Sequence, residues 1–257
     1  YLAIPSSVLL ETARAMAGAG LVICGPGPLW SRVVIEKPFG KDRQSSDILT
    51  RELACVFSEE QTFRIDHYLG KEVIQNLMVL RFANLVFEPL WNRNYIDSIH
   101  IDWKEDIGIG GRGGYFDEYG IIRDVMQNHL VQILALVAME KPRSINATHI
   151  SDEKVKVLRS ISAVDIKNIV LGQYQAGSIK GVRHPGYLEE ESIPPDSITP
   201  TFAATLLRIN NDRWRGVPFI ISAGKGLGNS VNEVRIRFHP LPNNIFLTNC
   251  RCRPRAS

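Results

Sequence analysis

The hydrophobic pattern in the first quarter of the chain alternates between short apolar runs and amphipathic stretches. Residues 1–4, 32–36 and 63–66 form the apolar runs, and "RVVIE" at 32–36 has the continuous apolarity of a parallel strand covered on both faces. Residues 8–19 and 45–57 lie between them and carry helical spacing. Strand and helix alternate in this way in a doubly wound α/β sheet, so the pattern predicts part of such a sheet.

After Asp66 the pattern changes. It predicts a helix over residues 68–80, a strand half-covered by helices over 96–103, and a strongly periodic helix over 121–139. Three later runs are also typical of strands: "NIVLGQY", "TFAATLLRI" and "EVRIRFH". Residues 173–200 are rich in Gly, Pro and acids and predict a surface loop. These runs favour an α+β arrangement in which helices pack on one face of an antiparallel sheet.

Composition narrows the functional classes. With 44% hydrophobic and 22% charged residues among 257, the chain has the make-up of a soluble globular protein, and its length allows two domains, 1–66 and 67–257. The net charge of +3 is small and the basic residues are scattered among acidic ones, which argues against nucleic acid as a partner. No apolar run approaches the roughly 18 residues that a membrane span needs, so no membrane partner is expected.

The cysteines predict neither a disulfide framework nor a metal centre. They show no framework spacing, which favours reduced thiols in a cytoplasmic protein: Cys24, Cys55, Cys250 and Cys252. The closely spaced pair near the end of the chain has no second pair of ligands nearby, so no metal site is expected there.

Lys37 lies in "EKPFG", just past the carboxyl end of the predicted strand at 32–36. Open α/β sheets bind ligands at that edge, and a residue before proline is held extended, so its ammonium can be aimed at a fixed point. A solvated lysine in a strand-to-helix turn is the alternative interpretation.

The segment "RIDHYLGK" brings Asp66, His67, Tyr68 and Lys71 together at the entrance to the predicted helix. His67 and Lys71 are four residues apart, so on a helix they would share one face and could hold the same anion. Phosphate suits this position, because a helix N-terminus adds backbone donors to the charged side chains. Alternatively, Asp66 only caps the helix and its neighbours pack at the domain junction.

His129 lies in "RDVMQNH", four residues from both Val125 and Ile133, which predicts that it faces inward. A buried imidazole needs a polar partner, because leaving it unpaired costs about 1–3 kcal/mol. Asp66 is the candidate partner. A carboxylate on one ring nitrogen fixes the tautomer and raises the basicity of the other nitrogen, which is the arrangement of a general base. A purely structural histidine is the alternative.

Three further polar residues lie in or beside Gly-rich sequence. Glu105 and Asp124 bracket "GRGGYFDEYG", which could form an anion-binding nest or a flexible connection. The two acids could bond sugar hydroxyls or remain ordinary surface acids. Lys225 lies next to small residues in "AGKGL".

Taken together, these blocks resemble the glucose-6-phosphate dehydrogenase family. "RIDHYLGKE" and "GRGGYFDEYGIIRDVMQNH" are long and specific, and "EKVKVLRSI", "VLGQY" and "FAATLLRINNDRWRGVPF" follow at the expected places. The resemblance implies the C-terminal part of a Rossmann-type NADP-binding domain over 1–66 and a truncated β+α domain over 67–257. It implies a cytoplasmic enzyme that is a homodimer or homotetramer at full length. The implied reaction oxidises D-glucose 6-phosphate to 6-phospho-D-glucono-1,5-lactone with NADP, the first step of the oxidative pentose phosphate pathway.

The resemblance also implies a role for each candidate residue. The residue resembling His129 abstracts the C1 hydroxyl proton of the sugar, and the one resembling Asp66 orients it. The family's phosphate site falls on His67, Tyr68 and Lys71. Its sugar contacts fall on Glu105, Asp124 and Lys225. Lys37 corresponds to a lysine that contacts both the substrate and the coenzyme.

Two alternatives remain open at this point. Another sugar oxidoreductase family, of the glucose-fructose oxidoreductase type, also carries "EKP" after a Rossmann strand but lacks the "DHYLGK" block. Secondly, the Gly-rich phosphate-binding turn of the coenzyme domain is absent, and the resemblance ends near Ile245. We therefore also expect that the chain could be a catalytically silent fragment that binds sugar phosphate or pairs with full-length subunits.

Overall fold

The computed structural model describes residues 1–23, 30–179 and 181–241. Its first part contains α1 (Ser6–Gly18), β1 (Val33–Ile35), α2 (Arg43–Ala54) and β2 (Thr62–Arg64). The two strands pair in parallel, and the predicted strand at 1–4 is reduced to a single parallel bridge between Leu2 and Ile35. This strand–helix alternation is the α/β arrangement that the pattern predicted.

The second part of the chain contains the remaining elements. Its helices are α3 (Glu72–Phe82), α4 (Phe87–Leu90), α5 (Gly113–Ile121), α6 (Val131–Ala138) and α7 (Ala147–Arg159), with a π-helical segment, Ile122–Leu130, between α5 and α6. Its strands are β3 (Ile96–Lys104), β4 (Ile169–Gly172), β5 (Gly177–Ile179), β6 (Val182–His184), β7 (Phe202–Arg208), β8 (Pro218–Gly224) and β9 (Val231–Phe238). No helix of the described ranges is both long and apolar enough to cross a membrane.

Five of these strands form one mixed sheet in the order β4-β7-β8-β3-β9. Three of its pairings are antiparallel, but β3 and β8 run parallel, so the prediction of an antiparallel sheet is wrong at the centre. The pattern did not predict β8, although it is the middle strand. Its sequence "PFIISAG" is buried along most of its length and therefore lacks the alternation that marks a half-covered strand.

Three other local predictions are corrected by the structure. The predicted helix at 68–80 is divided into a 3₁₀ turn, His67–Gly70, and α3, with Lys71 extended between them. The predicted loop at 173–200 contains the hairpin β5–β6. The Gly-rich stretch before Gly120 forms α5 rather than an open connection.

Gly120 marks a kink between α5 and the π-helical segment. Its φ of +64° is in the left-handed region, and a Cβ built there would lie 3.2 Å from the Thr199 side chain. Both conditions favour glycine at this position. The kink redirects the chain into the segment that carries His129.

The carboxyl end of α6 is held by side chains from three other places in the chain. Arg81, which is fully buried, donates to the carbonyls of Leu136 and Met139, each at 2.8 Å. The indole N–H groups of Trp91 and Trp214 donate to the Val137 and Ala138 carbonyls at 2.8 and 2.7 Å. Helix ends leave such carbonyls without intrahelical partners, so these donors fix the end of α6 inside the core.

Candidate active site

The buried His129 pairs with the partly buried Asp66, although 63 positions separate them in the chain. Nδ1 of His129 lies 2.6 Å from Oδ1 of Asp66, and the imidazole is 3% exposed. Asp66 Oδ1 also accepts from the backbone N–H of Tyr68 at 2.9 Å, because Asp66 caps the 3₁₀ turn. Capping and pairing, which the sequence presented as alternatives, therefore occur together.

The electrostatics of this histidine–aspartate pair favour an ionised carboxylate. Burial by itself would raise the pKa of Asp66, but the hydrogen bond and charge of His129, the Tyr68 N–H and the charge of His67 together lower it. The other carboxylate oxygen, Oδ2, is buried and accepts no hydrogen bond from the residues that the structure describes. The Nδ1 contact orients the ring, so that Nε2 is the nitrogen available for proton transfer.

Aromatic and cationic side chains surround the imidazole. The Tyr68 ring stacks on His129 with centroids 4.2 Å apart, and the His67 ring meets it edge-on at 4.6 Å. The Lys71 ammonium lies 3.7 Å from the Tyr68 ring centroid. His67 and Lys71 thus both contact the Tyr68 ring. They do not share one helical face, because His67 begins the 3₁₀ turn and Lys71 follows its end.

Burial and the surrounding charges both act on the pKa of His67. Burial lowers the pKa of His67, and the charges of His129, Lys37 and Lys71 lower it further against the opposing charge of Asp66. The charges of Lys37 and Lys71 therefore act on the same imidazole, although Lys37 follows β1 and Lys71 precedes α3. Cationic side chains whose charges act on one imidazole favour a bound anion.

Lys37 connects the first part of the chain to the π-helical segment. Its ammonium donates to both the carbonyl and the side chain of Asp124, at 2.7 and 2.9 Å. The Lys37–Pro38 peptide is cis. This contact joins Lys37 and Asp124, two residues that the sequence predicted for the site. Asp124 lies five positions before His129.

Glu105 and Lys225 form the second lysine–carboxylate pair. Lys225 is 4% exposed and donates to Glu105 at 2.8 Å, with the Trp103 ring centroid 5.0 Å from its ammonium. The Trp103 indole N–H in turn donates to the Tyr68 hydroxyl. Trp103 thus connects this pair to the aromatic stack on His129.

Comparison with known proteins gives the family. Residues 1–76 match "Glucose-6-phosphate dehydrogenase, NAD binding domain", and residues 78–256 match "Glucose-6-phosphate dehydrogenase, C-terminal domain". The chain belongs to the glucose-6-phosphate dehydrogenase family. This decides between the two enzyme families that the "EKP" motif left open.

Individual glucose-6-phosphate dehydrogenases are similar over almost the whole chain. Glucose-6-phosphate 1-dehydrogenase of Dictyostelium discoideum is 54% identical over 96% of this chain and 48% of its own length. The cytoplasmic enzyme 6 of Arabidopsis thaliana is 51% identical over 96% of this chain and 46% of its own. Chloroplastic enzymes are similar too, such as enzyme 3 of A. thaliana, 50% identical over 97% of this chain and 41% of its own length. The chain spans about half the length of these relatives.

Solved structures of the family have the same fold. "Glucose-6-phosphate dehydrogenase in complex with its substrate glucose-6-phosphate" superposes with a TM-score of 0.87 at 44% identity, covering 96% of this chain and 50% of that one. The Mycobacterium avium glucose-6-phosphate 1-dehydrogenase gives 0.83 at 41% identity, covering 97% of this chain and 52% of that one.

The sequence patterns missed two residues near the site. The sequence predicted Trp103 only as part of a strand. Its hydrogen bond to the Tyr68 hydroxyl joins residues 35 positions apart, so local spacing could not predict it. Lys154, on α7, is half-buried, and burial lowers its pKa against the opposing charge of Asp66. A signal existed for Lys154: it stands where the helical stripe of Ile150 and Val157 predicts an apolar residue.

The expectation that this family member holds no metal stays a prediction. Asp66, His67 and His129 offer three possible ligand atoms within 4.8 Å of one another. The hydrogen bond between Asp66 and His129 accounts for that proximity without an ion. The Cys250 and Cys252 pair lies outside the described residues.

Proposed function

We propose that this chain provides the glucose 6-phosphate site and the general base of an enzyme that oxidises D-glucose 6-phosphate to 6-phospho-D-glucono-1,5-lactone, with hydride transfer to NADP. The observation that carries the proposal is the 2.6 Å contact between His129 and Asp66 beside a group of cationic side chains. A relative of the same fold is described as a complex with glucose 6-phosphate, which supports the choice of substrate.

In this proposal His129 takes the proton of the C1 hydroxyl as hydride leaves C1. Asp66 holds the ring so that Nε2 faces the hydroxyl, and it stabilises the imidazolium that forms. A positioned base of this kind contributes about 10²–10⁴-fold to the rate. The buried position of His129 supports this role, because a fixed ring keeps its geometry through the proton transfer.

We assign the phosphate to His67, Tyr68 and Lys71. The lowered pKa of His67, caused first by burial and then by the neighbouring cations, favours an anion that restores its proton. The sugar hydroxyls are assigned to three other residues: Glu105, Asp124 and Lys225. Binding the phosphate far from C1 supplies free energy that positions the reacting carbon.

NADP is assigned to the edge of the first sheet, where Lys37 follows β1. A cleft of about 700 Å³ lies there, lined by Lys37, Lys41, Arg123 and the stacked rings of Tyr115 and Tyr119, among others. Cationic and aromatic groups suit a phosphate-bearing coenzyme with flat rings. When bound, NADP accepts the hydride, and Lys37 is proposed to contact both coenzyme and substrate.

Several finer assignments belong to the same proposal. We assign residues 1–66 to a Rossmann-type domain and 67–257 to the β+α domain, which is supported by two separate clusters of buried apolar residues on either side of that boundary. A cytoplasmic location is proposed from the cytoplasmic relatives. A place in the oxidative pentose phosphate pathway is proposed from the reaction, and a homo-oligomer from the family resemblance.

The proposal is tested by two assays on purified protein. Calorimetry should detect glucose 6-phosphate binding to the 257-residue chain, with glucose as the control ligand. NADP reduction is measured with this chain and with a version extended by the D. discoideum segments outside the match. Binding together with turnover in the extended version supports the proposal. Binding without turnover in either would favour the silent-fragment alternative, and absence of both would overturn the assignment.

A further inference from the structure

The Glu105–Lys225 pair follows the carboxyl ends of two neighbouring strands. β3 and β8 run parallel and end side by side, and Glu105 and Lys225 are the first residues after them. Each begins a loop: the Glu105 loop, residues 105–109, and the Lys225 loop, residues 225–228. A lysine has a long flexible stem, so the backbone of its loop decides where its ammonium can reach.

Backbone hydrogen bonds join the two loops. The Leu227 N–H donates to the Glu105 carbonyl at 2.9 Å, and the Gly226 N–H donates to the Ile107 carbonyl at 2.8 Å. The loops therefore form one unit beyond the end of the sheet. A side chain that packs on both of them can fix the residues that they carry.

Tyr174 packs on both loops. It follows β4 and is 9% exposed. A Cβ built on Gly226 would lie 2.7 Å from the Tyr174 ring, and a Cβ built on Gly108 would lie 2.8 Å from the Tyr174 hydroxyl oxygen. Real side chains do not approach so closely, so glycine at both positions lets the two loop backbones lie directly against the tyrosine.

Hydrogen bonds hold Tyr174 in this position. Its hydroxyl accepts from the Ile109 N–H at 3.2 Å and donates to the Glu190 carboxylate at 2.8 Å. Its backbone N–H donates to the Thr201 hydroxyl at 2.9 Å, and the Thr201 carbonyl accepts from the Lys225 N–H at 3.0 Å. Tyr174 therefore contacts one loop through its hydroxyl and the other through its ring, and Thr201 connects it to the Lys225 backbone.

We propose that Tyr174 is a positioning residue that holds the two loops together and thereby fixes Lys225 beside Glu105 for the sugar hydroxyls. The choice of ligand rests on the proposed function, whereas the positioning of Lys225 does not. Because the loops carry sugar contacts in that function, loosening them should weaken binding of glucose 6-phosphate more than it slows proton transfer at His129.

The first test removes the ring. Tyr174→Leu should weaken glucose 6-phosphate binding about tenfold, measured by calorimetry on the 257-residue chain. Tyr174→Phe keeps the ring against Gly226 and should stay within about threefold of the parent affinity. In the extended version of Tyr174→Leu, KM should rise by the same factor and kcat at saturation should stay within about twofold. A fall in kcat with KM unchanged overturns the proposal.

The second test asks whether Tyr174 acts through Lys225. Lys225→Met removes the ammonium, so adding Tyr174→Leu to it should weaken binding by less than about threefold further. A loss of about tenfold in both backgrounds would mean that the tyrosine acts on binding independently of the lysine, and it overturns the proposal.

The position of Lys225 can also be measured without a ligand. Its ammonium lies 5.0 Å from the Trp103 ring centroid, so the ring current shifts the NMR signals of the adjacent methylene group. In the lysine-labelled chain, with Lys225→Met for assignment, Tyr174→Leu should move these signals toward those of the exposed Lys167. Unchanged signals overturn the proposal. Signals that move in a chain whose parent binds no glucose 6-phosphate support the positioning and contradict the proposed function alone.

Phe219→Leu is the matched control. Phe219 is buried in the same core, lies at the opposite end of β8 from Lys225, and packs edge-on against Trp214 with centroids 5.2 Å apart. Its replacement should lower the melting temperature about as much as Tyr174→Leu does, and leave the affinity and the Lys225 signals unchanged. An equal loss of affinity in both variants would reflect lost stability and overturns the proposal.

Gly108→Ala tests the same contact if Tyr174→Leu does not fold. The added methyl group would lie 2.8 Å from the Tyr174 hydroxyl oxygen, so the loop and the tyrosine must move apart and the Lys225 signals should shift. Gly228→Ala is its control, because the methyl group there meets no atom within 4 Å in the described ranges. Lys225 signals that are the same in both variants overturn the proposal.

Discussion

The two ends of the helical stretch between Ile122 and Ala138 are built in opposite ways. The amino-terminal end is π-helical and carries His129. Its partner is Asp66, whose buried Oδ2 has no hydrogen bond within the described ranges of the chain. At the carboxyl end, Arg81 and two tryptophans donate to four consecutive carbonyls. Irregular helical geometry is frequent at functional sites, whereas fully satisfied helix ends stabilise a fold. In this stretch, therefore, the end that is proposed to react has irregular helical geometry, whereas the other end is fixed in the core by four donated hydrogen bonds.

The strongest test of this contrast is His129→Asn in the extended version. Asparagine cannot act as the base, so kcat should fall by about 10²–10⁴-fold, while calorimetry should still detect glucose 6-phosphate. His100→Asn on β3 is the control and should keep its turnover. Turnover near the parent value in His129→Asn would mean that the reacting end has been placed wrongly.

At the fixed end, Trp214→Phe should lower stability without changing the chemistry. The substitution leaves the buried Ala138 carbonyl without its donor, which costs about 1–3 kcal/mol of unfolding free energy. Urea unfolding measures the loss, and Trp30→Phe on the exposed Trp30 should change it by less than about 0.5 kcal/mol. If Trp214→Phe instead lowered kcat strongly and left stability unchanged, the carboxyl end of α6 would serve the reaction rather than the stability of the fold.

Within the reacting end, Lys71→Ala separates binding from proton transfer. Losing one charged contact to phosphate should weaken glucose 6-phosphate binding by about tenfold, with kcat at saturation little changed. Calorimetry and initial rates measure the two effects, with the exposed Lys167→Ala as control. If kcat falls and binding does not, Lys71 acts on the reacting carbon instead of the phosphate.

The smallest expected effect concerns pH and stability. Since the folded state lowers the pKa of Asp66 from 3.8, its carboxylate stabilises the fold above that pH and loses this contribution as pH falls through the lower folded value. The melting-temperature difference between the parent and Asp66→Asn should therefore shrink as the pH is lowered from 5 to below 3.8. The Trp214→Phe loss should stay constant over the same range. A constant difference for Asp66→Asn would show that the carboxylate contributes no ionisation-linked stability.

Sequence patterns predicted the parts of the molecule in which periodicity is strong. The strands around Val33 and Ile99 and the inward direction of His129 follow from local spacing, and all are found. The contact between Asp66 and His129 could only be a hypothesis, because spacing within one segment says nothing about distance across 63 positions.

The remaining differences have physical causes in tertiary structure. The centre of the sheet was missed because β8 is buried along most of its length and carries no alternation. Lys71 left the predicted helix because Asp66 caps a 3₁₀ turn that ends just before it.

The contact of Lys37 with Asp124 has a consequence for how a ligand can arrive. A lysine ammonium has three N–H bonds arranged as a tripod, and in the described part of the chain both of its acceptors belong to Asp124. A ligand oxygen that accepts from the third N–H bond therefore displaces neither of the two Asp124 acceptors. A ligand oxygen can therefore bind to Lys37 while the contact between the first sheet and the helical stretch stays in place.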